Sequence, residues 1–249
     1  MKILIYFLII VLWSINMEAK VKLPPLLSDN MVLQQKSNVR IWGKATPNST
    51  VVVTPSWANK EVKTHADEKG CWELQITTPA ASFEEYTLTL TDGEQSVTLQ
   101  HLLIGEVWLC AGQSNMRYGY EYPYWTDYHN DVDSGLLDNE NIRIISNENN
   151  TVSNYWETDT VGWKQSNTQS IQDLKFSATA SYFGKHLYGD NGHIPIGLIS
   201  SAVGGASIET FLVNQVDNGN GAQFGNSALY KRLIYPYTNW ENSETGKGI

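Results

Sequence analysis

The alternation of apolar and polar residues divides the chain into two parts with different predicted secondary structure. Up to about Gln100, short β-prone runs such as Val39–Trp42 and Val51–Thr54 alternate with turn-forming stretches such as Asp67–Gly70. Regular spacing of short strands and turns is typical of a small antiparallel β-sandwich. We therefore predict a β-sandwich domain over residues 20–100.

The pattern changes after residue 100. Mostly apolar runs predict three strands, at Ile104–Cys110, Ile142–Ile145 and Ile194–Ile199. A helix is predicted between the last two by apolar residues at helical spacing, which are Phe176, Ala180, Phe183, Leu187 and Tyr188. Because strands that alternate with helices form a parallel sheet flanked by helices, the sequence predicts an α/β protein with an α/β/α domain over residues 101–249.

The first 19 residues have the layout of a secretory signal peptide. Lys2 precedes an apolar run from Ile3 to Trp13, and Ala19 provides a small residue before Lys20. We therefore expect a secreted or periplasmic protein that has no membrane contact after signal cleavage. A retained anchor is the alternative, although the run is shorter than the ~20 residues that span a bilayer.

Composition narrows the classes of partner and cofactor. The net charge of -9 and the lack of a basic cluster argue against a nucleic-acid surface, while a hydrophobic fraction of 41% is ordinary for a globular core. Cys71 and Cys110 could form one disulfide in an exported protein, or both could be small buried residues. No Cys and His spacing typical of zinc occurs, and no metal or other cofactor is predicted.

Ligands of parallel sheets bind beyond the carboxyl ends of the strands. The first such segment is Gly112–Met116, in which Ser114 could present its hydroxyl to solvent beside backbone N–H groups. The nucleophile elbow of α/β-hydrolases has the sequence Gly-x-Ser-x-Gly. Here Met116 stands in place of the second glycine, so the segment is not such an elbow. Local chemistry alone favours a turn or helix-capping role for Ser114.

The second segment, Ser200–Ser207, contains the pair Gly204 and Gly205. Paired glycines at a strand end let backbone N–H groups approach a ligand closely, and Ser207 could cap a following helix. A tight strand-to-helix turn is the alternative interpretation of the same residues.

Several ordered blocks resemble one family. Ile104–Met116 resembles the nucleophile block of the sialate O-acetylesterases and related carbohydrate acetylesterases of the SGNH hydrolase superfamily. Further matches, in chain order, are Leu27–Gln34, Asp67–Trp72, Phe176–Ala178 and Pro195–Ile199. The similarity covers nearly the whole chain after residue 20, which makes it more specific than any single motif.

The resemblance implies an SGNH-like fold for residues 101–249 and a nucleophilic serine at Ser114. It also implies an oxyanion hole formed by the backbone N–H of Ser114 and by Gly204 or Gly205. The implied reaction removes O-acetyl groups from sialic acids through an acetyl-enzyme, without a cofactor. A different SGNH esterase, such as an acetylxylan esterase, is the alternative within the same superfamily.

An aromatic segment, Arg117–Asp138, lies between the two candidate loops. Its tyrosines and tryptophan could line a glycan site, or could pin a long loop to the surface. The candidate substrate-binding residues here and beside the serine are Gln113, Asn115, Arg117, Tyr118 and Trp125. Arg117 could pair with a substrate carboxylate.

Two later blocks of the family do not occur in the chain: a Trp-Tyr-Gln-Gly-Glu-Ser-Asn block with an oxyanion-hole asparagine, and an Asp-x-x-His block that supplies the base. Leu229–Pro236 and Lys247–Ile249 resemble the family's helix and strand that precede them, so we expect a fragment of an esterase. His129 is the one histidine with plausible access to Ser114, but a loop histidine among acidic residues is more often simply solvated. A noncatalytic secreted carbohydrate-binding module is the alternative from a different class.

The missing base generates a prediction about activity. Because a serine hydroxyl without a base is a poor nucleophile, we expect the 249-residue chain to hydrolyse 4-nitrophenyl acetate no faster than its Ser114→Ala variant. A clear Ser114-dependent rate would show that a base is present, and His129→Ala would then be assayed first.

Overall fold

The computed structural model describes residues 21–58, 60–147 and 161–211, together with Leu229. The predicted signal peptide lies outside these residues, as do Lys247–Ile249 and all of Leu229–Pro236 except Leu229. Within the described part, no helix is both long and apolar enough to cross a membrane.

Ten strands and four α-helices form the described part of the chain. The strands are β1 (Val32–Gln34), β2 (Asn38–Lys44), β3 (Thr50–Pro55), β4 (Val62–His65), β5 (Cys71–Thr77), β6 (Ser82–Thr91), β7 (Ser96–Gly112), β8 (Asn139–Ser146), β9 (Lys164–Ser166) and β10 (Ile196–Ala202). The helices are α1 (Ser114–Arg117), α2 (Thr126–Asp133), α3 (Thr168–Leu174) and α4 (Ala178–Asp190), and a 3₁₀ helix follows at Ile208–Phe211.

The N-terminal part has two layers of mostly antiparallel strands, and the larger layer continues into the sheet of the second half. Strands β2 and β5 form one two-stranded sheet, and β4, β3, β6 and β7 follow one another in the larger sheet, where β1 adds to β7 in parallel. Alternate residues such as Val51 and Val53 are fully buried, while Thr50 and Thr54 are exposed. This period of two places one face of each strand in a shared core.

Strand β7 joins the two halves of the molecule. Its first half pairs antiparallel with β6 and its second half pairs in parallel with β10, from Glu106 to Gly112. Two register shifts in the β6–β7 ladder and a φ of 58° at His101 interrupt the regular strand between the two halves. Residues 100 and 101, the predicted domain boundary, therefore lie within one strand, and the division into domains stays a prediction.

The second half contains the predicted parallel sheet, which confirms the α/β fold class. Its strand order is β7, β10, β8, β9, and only the short β9 is antiparallel. Leu198 and Ile144 face a core that contains Phe176 and residues of α2, α3 and α4. Their neighbours Ile199 and Ile145 face the N-terminal core on the opposite side. The sheet is thus packed between the described helices and the N-terminal layers.

The two cysteines are not joined by a disulfide, so the disulfide alternative is wrong. Cys110 is buried on β7, and this burial raises the pKa of its thiol to about 11. Cys71 is only partly buried, on β5.

Gly105 generates a prediction about stability. A Cβ added at this position would lie 2.0 Å from the Pro195 carbonyl oxygen, so Gly105→Ala requires the backbone to move and should cost about 3 kcal/mol of unfolding free energy. Gly189, in helix α4, has nothing within 4 Å of an added Cβ, and Gly189→Ala should gain about 0.5–1 kcal/mol. Urea unfolding of both variants measures the contrast, and equal stabilities would contradict the packing described for β7.

Candidate active site

The two candidate loops leave the sheet side by side. Strands β7 and β10 are hydrogen-bonded neighbours, and their last residues, Gly112 and Ala202, are register partners. Beyond the strand ends, the Val203 N–H donates to the Gly112 carbonyl at 3.0 Å. Ser114 lies two residues after Gly112, and Gly204 lies two residues after Ala202. The two candidate segments, which the sequence predicted at strand ends, are therefore adjacent in space.

Ser114 is the first residue of the one-turn helix α1. The residue that caps this helix is Gln113: its carbonyl accepts from the Met116 and Arg117 N–H groups, and its side chain accepts from the Ser114 N–H at 3.5 Å. The Ser114 hydroxyl donates to the same side-chain oxygen at 3.1 Å. Ser114 is therefore not the capping residue that local chemistry favoured. Its nucleophilic role stays a prediction.

The start of helix α4 contacts residues 113–118, which we call the nucleophile turn after the predicted role of Ser114. The Thr179 hydroxyl donates to the Asn115 carbonyl at 2.7 Å, and the Ala178 N–H donates to the Tyr118 carbonyl at 2.9 Å. The Ser177 hydroxyl also lies 3.7 Å from the Met116 sulfur. Sequence reasoning matched Phe176–Ala178 to the family but missed this support, because hydrogen bonds between distant residues leave no local pattern.

Gly119 allows the turn to approach α4 this closely. A Cβ at Gly119 would lie 2.2 Å from the Lys175 carbonyl oxygen and 2.4 Å from that of Phe176. Only glycine fits where two backbones pass at this distance. Contacts with the residues before and at the start of α4 thus fix the turn that carries Ser114.

The glycine pair is exposed beside the nucleophile turn. Gly205 has a φ of 74°, a conformation that glycine adopts without steric cost. A Cβ at Gly204 would meet only the Arg117 Cδ, at 4.0 Å.

An open cleft of about 250 Å³ lies next to the two loops, and its lining residues are Ala111, Gly112, Gln113, Ala206, Ile208 and Phe211. A small acyl group could enter such a largely apolar cleft. The oxyanion roles of Ser114, Gly204 and Gly205 stay predictions.

Arg117 has an ion-pair partner within its own turn. Its Nη2 lies 3.2 Å from the Glu121 carboxylate, and both side chains are mostly buried. The positive charge near the glycine pair is therefore balanced locally. Asn115, the neighbouring candidate, is exposed, and its carbonyl is held by Thr179.

The aromatic candidates pack against one another after the nucleophile turn. The Tyr118 ring contacts the ring of Tyr122 edge-on, with centroids 4.8 Å apart, and the ring of Trp125 at 5.8 Å. The Tyr118 N–H donates to the Ser114 carbonyl at 2.9 Å. The aromatic cluster is thus continuous with the turn that carries Ser114.

His129, the candidate base, is engaged elsewhere. Its Nε2 donates to the Tyr122 carbonyl at 3.2 Å, and its ring stacks on Tyr120 with centroids 4.3 Å apart. In residues 21–58, 60–147 and 161–211, no histidine is hydrogen-bonded to Ser114.

Comparison with known proteins gives a consistent result. Residues 104–249 match the family described as carbohydrate esterase, sialic acid-specific acetylesterase. Sialate O-acetylesterases from Pongo abelii, Mus musculus and Homo sapiens are each 30% identical to the chain over 74% of its length. The chain spans only 36–37% of those relatives.

A solved structure extends the comparison to the fold. The crystal structure of a novel carbohydrate acetylesterase from Xanthomonas citri aligns with a TM-score of 0.73 at 26% identity, and the alignment covers 87% of this chain and 48% of that one. These matches confirm the family resemblance that the sequence blocks predicted. The chain belongs to the sialic acid-specific acetylesterase family of carbohydrate esterases.

Proposed function

We propose that this chain carries the nucleophile and part of the oxyanion hole of a serine esterase that removes O-acetyl groups from sugars, with O-acetylated sialic acids as the first candidate substrates. The observation that carries the proposal is the pairing of Gly112 with Ala202, which brings Ser114 beside Gly204 and Gly205. Membership of the acetylesterase family supports the same reaction.

The reaction proceeds in two acyl transfers. The Ser114 hydroxyl oxygen bonds to the acetyl carbon while its proton passes to a general base, and the bond from that carbon to the sugar oxygen then breaks as the oxygen regains a proton. Water next adds to the acetyl-enzyme and releases acetate. Backbone N–H groups that face the tetrahedral oxyanion lower the barrier by about 3 kcal/mol each.

The substrate and the location of the protein are part of the proposal. The matched relatives are named for sialate, whereas the Xanthomonas citri protein is named only as a carbohydrate acetylesterase. The test of the proposal should therefore use both acetylated sialic acid and acetylated xylan as substrates. The leader-like composition of residues 1–19 supports an exported protein.

The test compares Ser114 with Ser207, a nearby serine without a predicted role in the reaction, in the product of the complete open reading frame. Ser114→Ala should lower acetate release by about a thousandfold or more, because no other group replaces the nucleophile. Ser207→Ala is the matched control, since this exposed serine follows the glycine pair and should change the rate less than about twofold. A Ser114→Ala variant that keeps its rate, or equal losses in both variants, would contradict the proposal.

A further inference from the structure

An exposed aromatic surface follows directly from the nucleophile turn. It consists of the exposed Trp125 and Tyr124 and the half-buried Tyr118, and we refer to these three residues as the aromatic platform. Trp125 is 46% exposed and Tyr124 is 89% exposed. Large aromatic rings in water are costly, so their concentration beside a candidate catalytic serine suggests a ligand surface.

The platform is held in shape by its own contacts. The Trp125 N–H donates to the Tyr122 carbonyl at 3.3 Å, and the Trp125 carbonyl accepts from the His129 N–H at 3.0 Å. Tyr122 also supports the ring of Tyr118 edge-on. A surface that is already ordered loses little conformational entropy when a ligand binds.

The platform is also coupled to Ser114. Tyr118 donates its backbone N–H to the Ser114 carbonyl, and its own carbonyl accepts from Ala178 at the start of α4. The same helix start holds the Asn115 carbonyl through Thr179. Nucleophile and platform therefore share one backbone support, so a ligand on the platform has a defined position relative to Ser114.

Local charge indicates which ligands fit. Asp127 lines a small cleft of about 160 Å³ with Tyr124 and Trp125, and Glu121 balances the charge of Arg117. Asp131 and Asp133, further along the same helix, accept hydrogen bonds from Tyr182 and Tyr120, so Asp127 is the carboxylate that lines the cleft. Carboxylates repel an anionic ligand but accept hydrogen bonds from hydroxyl groups. The surroundings thus favour a neutral polyhydroxylated ligand over an anion.

We propose that the aromatic platform is a subsite that stacks against one neutral sugar ring of the glycan that carries the acetyl ester. A pyranose ring presents C–H groups to the face of Trp125, while its hydroxyls reach Asp127 at the rim. The role of this subsite in substrate choice rests on the proposed esterase function. Sugar binding itself does not depend on the esterase function, because binding requires no chemical step.

The test measures binding of unacetylated sugars to the 249-residue chain. Lactose and xylotetraose are the neutral probes and N-acetylneuraminic acid is the anionic probe, each titrated by NMR at the indole N–H signals. We expect a neutral probe to shift the Trp125 signal, and Trp125→Ala to weaken its binding about tenfold. Trp125→Phe should retain most of the affinity, which separates loss of the ring from local unfolding at the start of α2.

Trp108→Ala is the matched control. Trp108 is 42% exposed, but it lies on β7 and contacts Phe183 rather than the aromatic platform, so its loss should leave binding unchanged. The proposal is overturned if neither neutral probe binds, if the two alanine variants lose affinity equally, or if N-acetylneuraminic acid binds more tightly than both neutral probes. Sugar binding by this chain, combined with no loss of acetate release on Ser114→Ala in the separate esterase assay, would leave the subsite intact and refute only the esterase.

Discussion

The parallel pairing of β7 with β10 is the constraint on which the candidate site depends. Seven consecutive register pairs, from Glu106–Ile196 to Gly112–Ala202, bring the two chain segments to the same edge of the sheet. All seven residues of β10 are buried, and Leu198 and Ile199 face different cores. Because a slip by one residue would exchange these faces, the apolar packing specifies the register strongly. The proximity of Ser114 to the glycine pair follows from that register.

Close backbone contacts then convert this proximity into a fixed geometry. Gly105 lets β7 pass against Pro195, and Gly119 lets the nucleophile turn rest on the chain before α4. The N–H of Ser114 has only a long contact, of 3.5 Å, with the Gln113 side chain. That N–H group is therefore available to a developing oxyanion without the loss of a strong hydrogen bond. Preorganised donors of this kind are the usual source of catalytic stabilisation in acyl transfer.

Sequence patterns predicted the elements that have a strong local period. The apolar runs at Ile142–Ile145 and Ile194–Ile199 lie within or overlap β8 and β10, and the helical spacing near residue 180 corresponds to α4. The continuity of β7 was not predictable, because Gln100 and His101 are polar and exposed and therefore resemble a linker. The hydrogen bonds from α4 to the nucleophile turn depend on tertiary packing, which has no period. Strand-end positions alone favoured a capping role for Ser114, and only the family resemblance assigned it as the nucleophile.

The central claim is that Ser114 and the glycine pair face one oxyanion. A crystal structure of the complete gene product with a methylphosphonate attached to a serine, as a mimic of the tetrahedral intermediate, tests this directly. The account predicts attachment at Ser114, with the phosphonyl oxygen about 3 Å from the backbone N of Ser114 and from that of Gly204 or Gly205. Attachment at another serine, or a phosphonyl oxygen that points away from both loops, would contradict it.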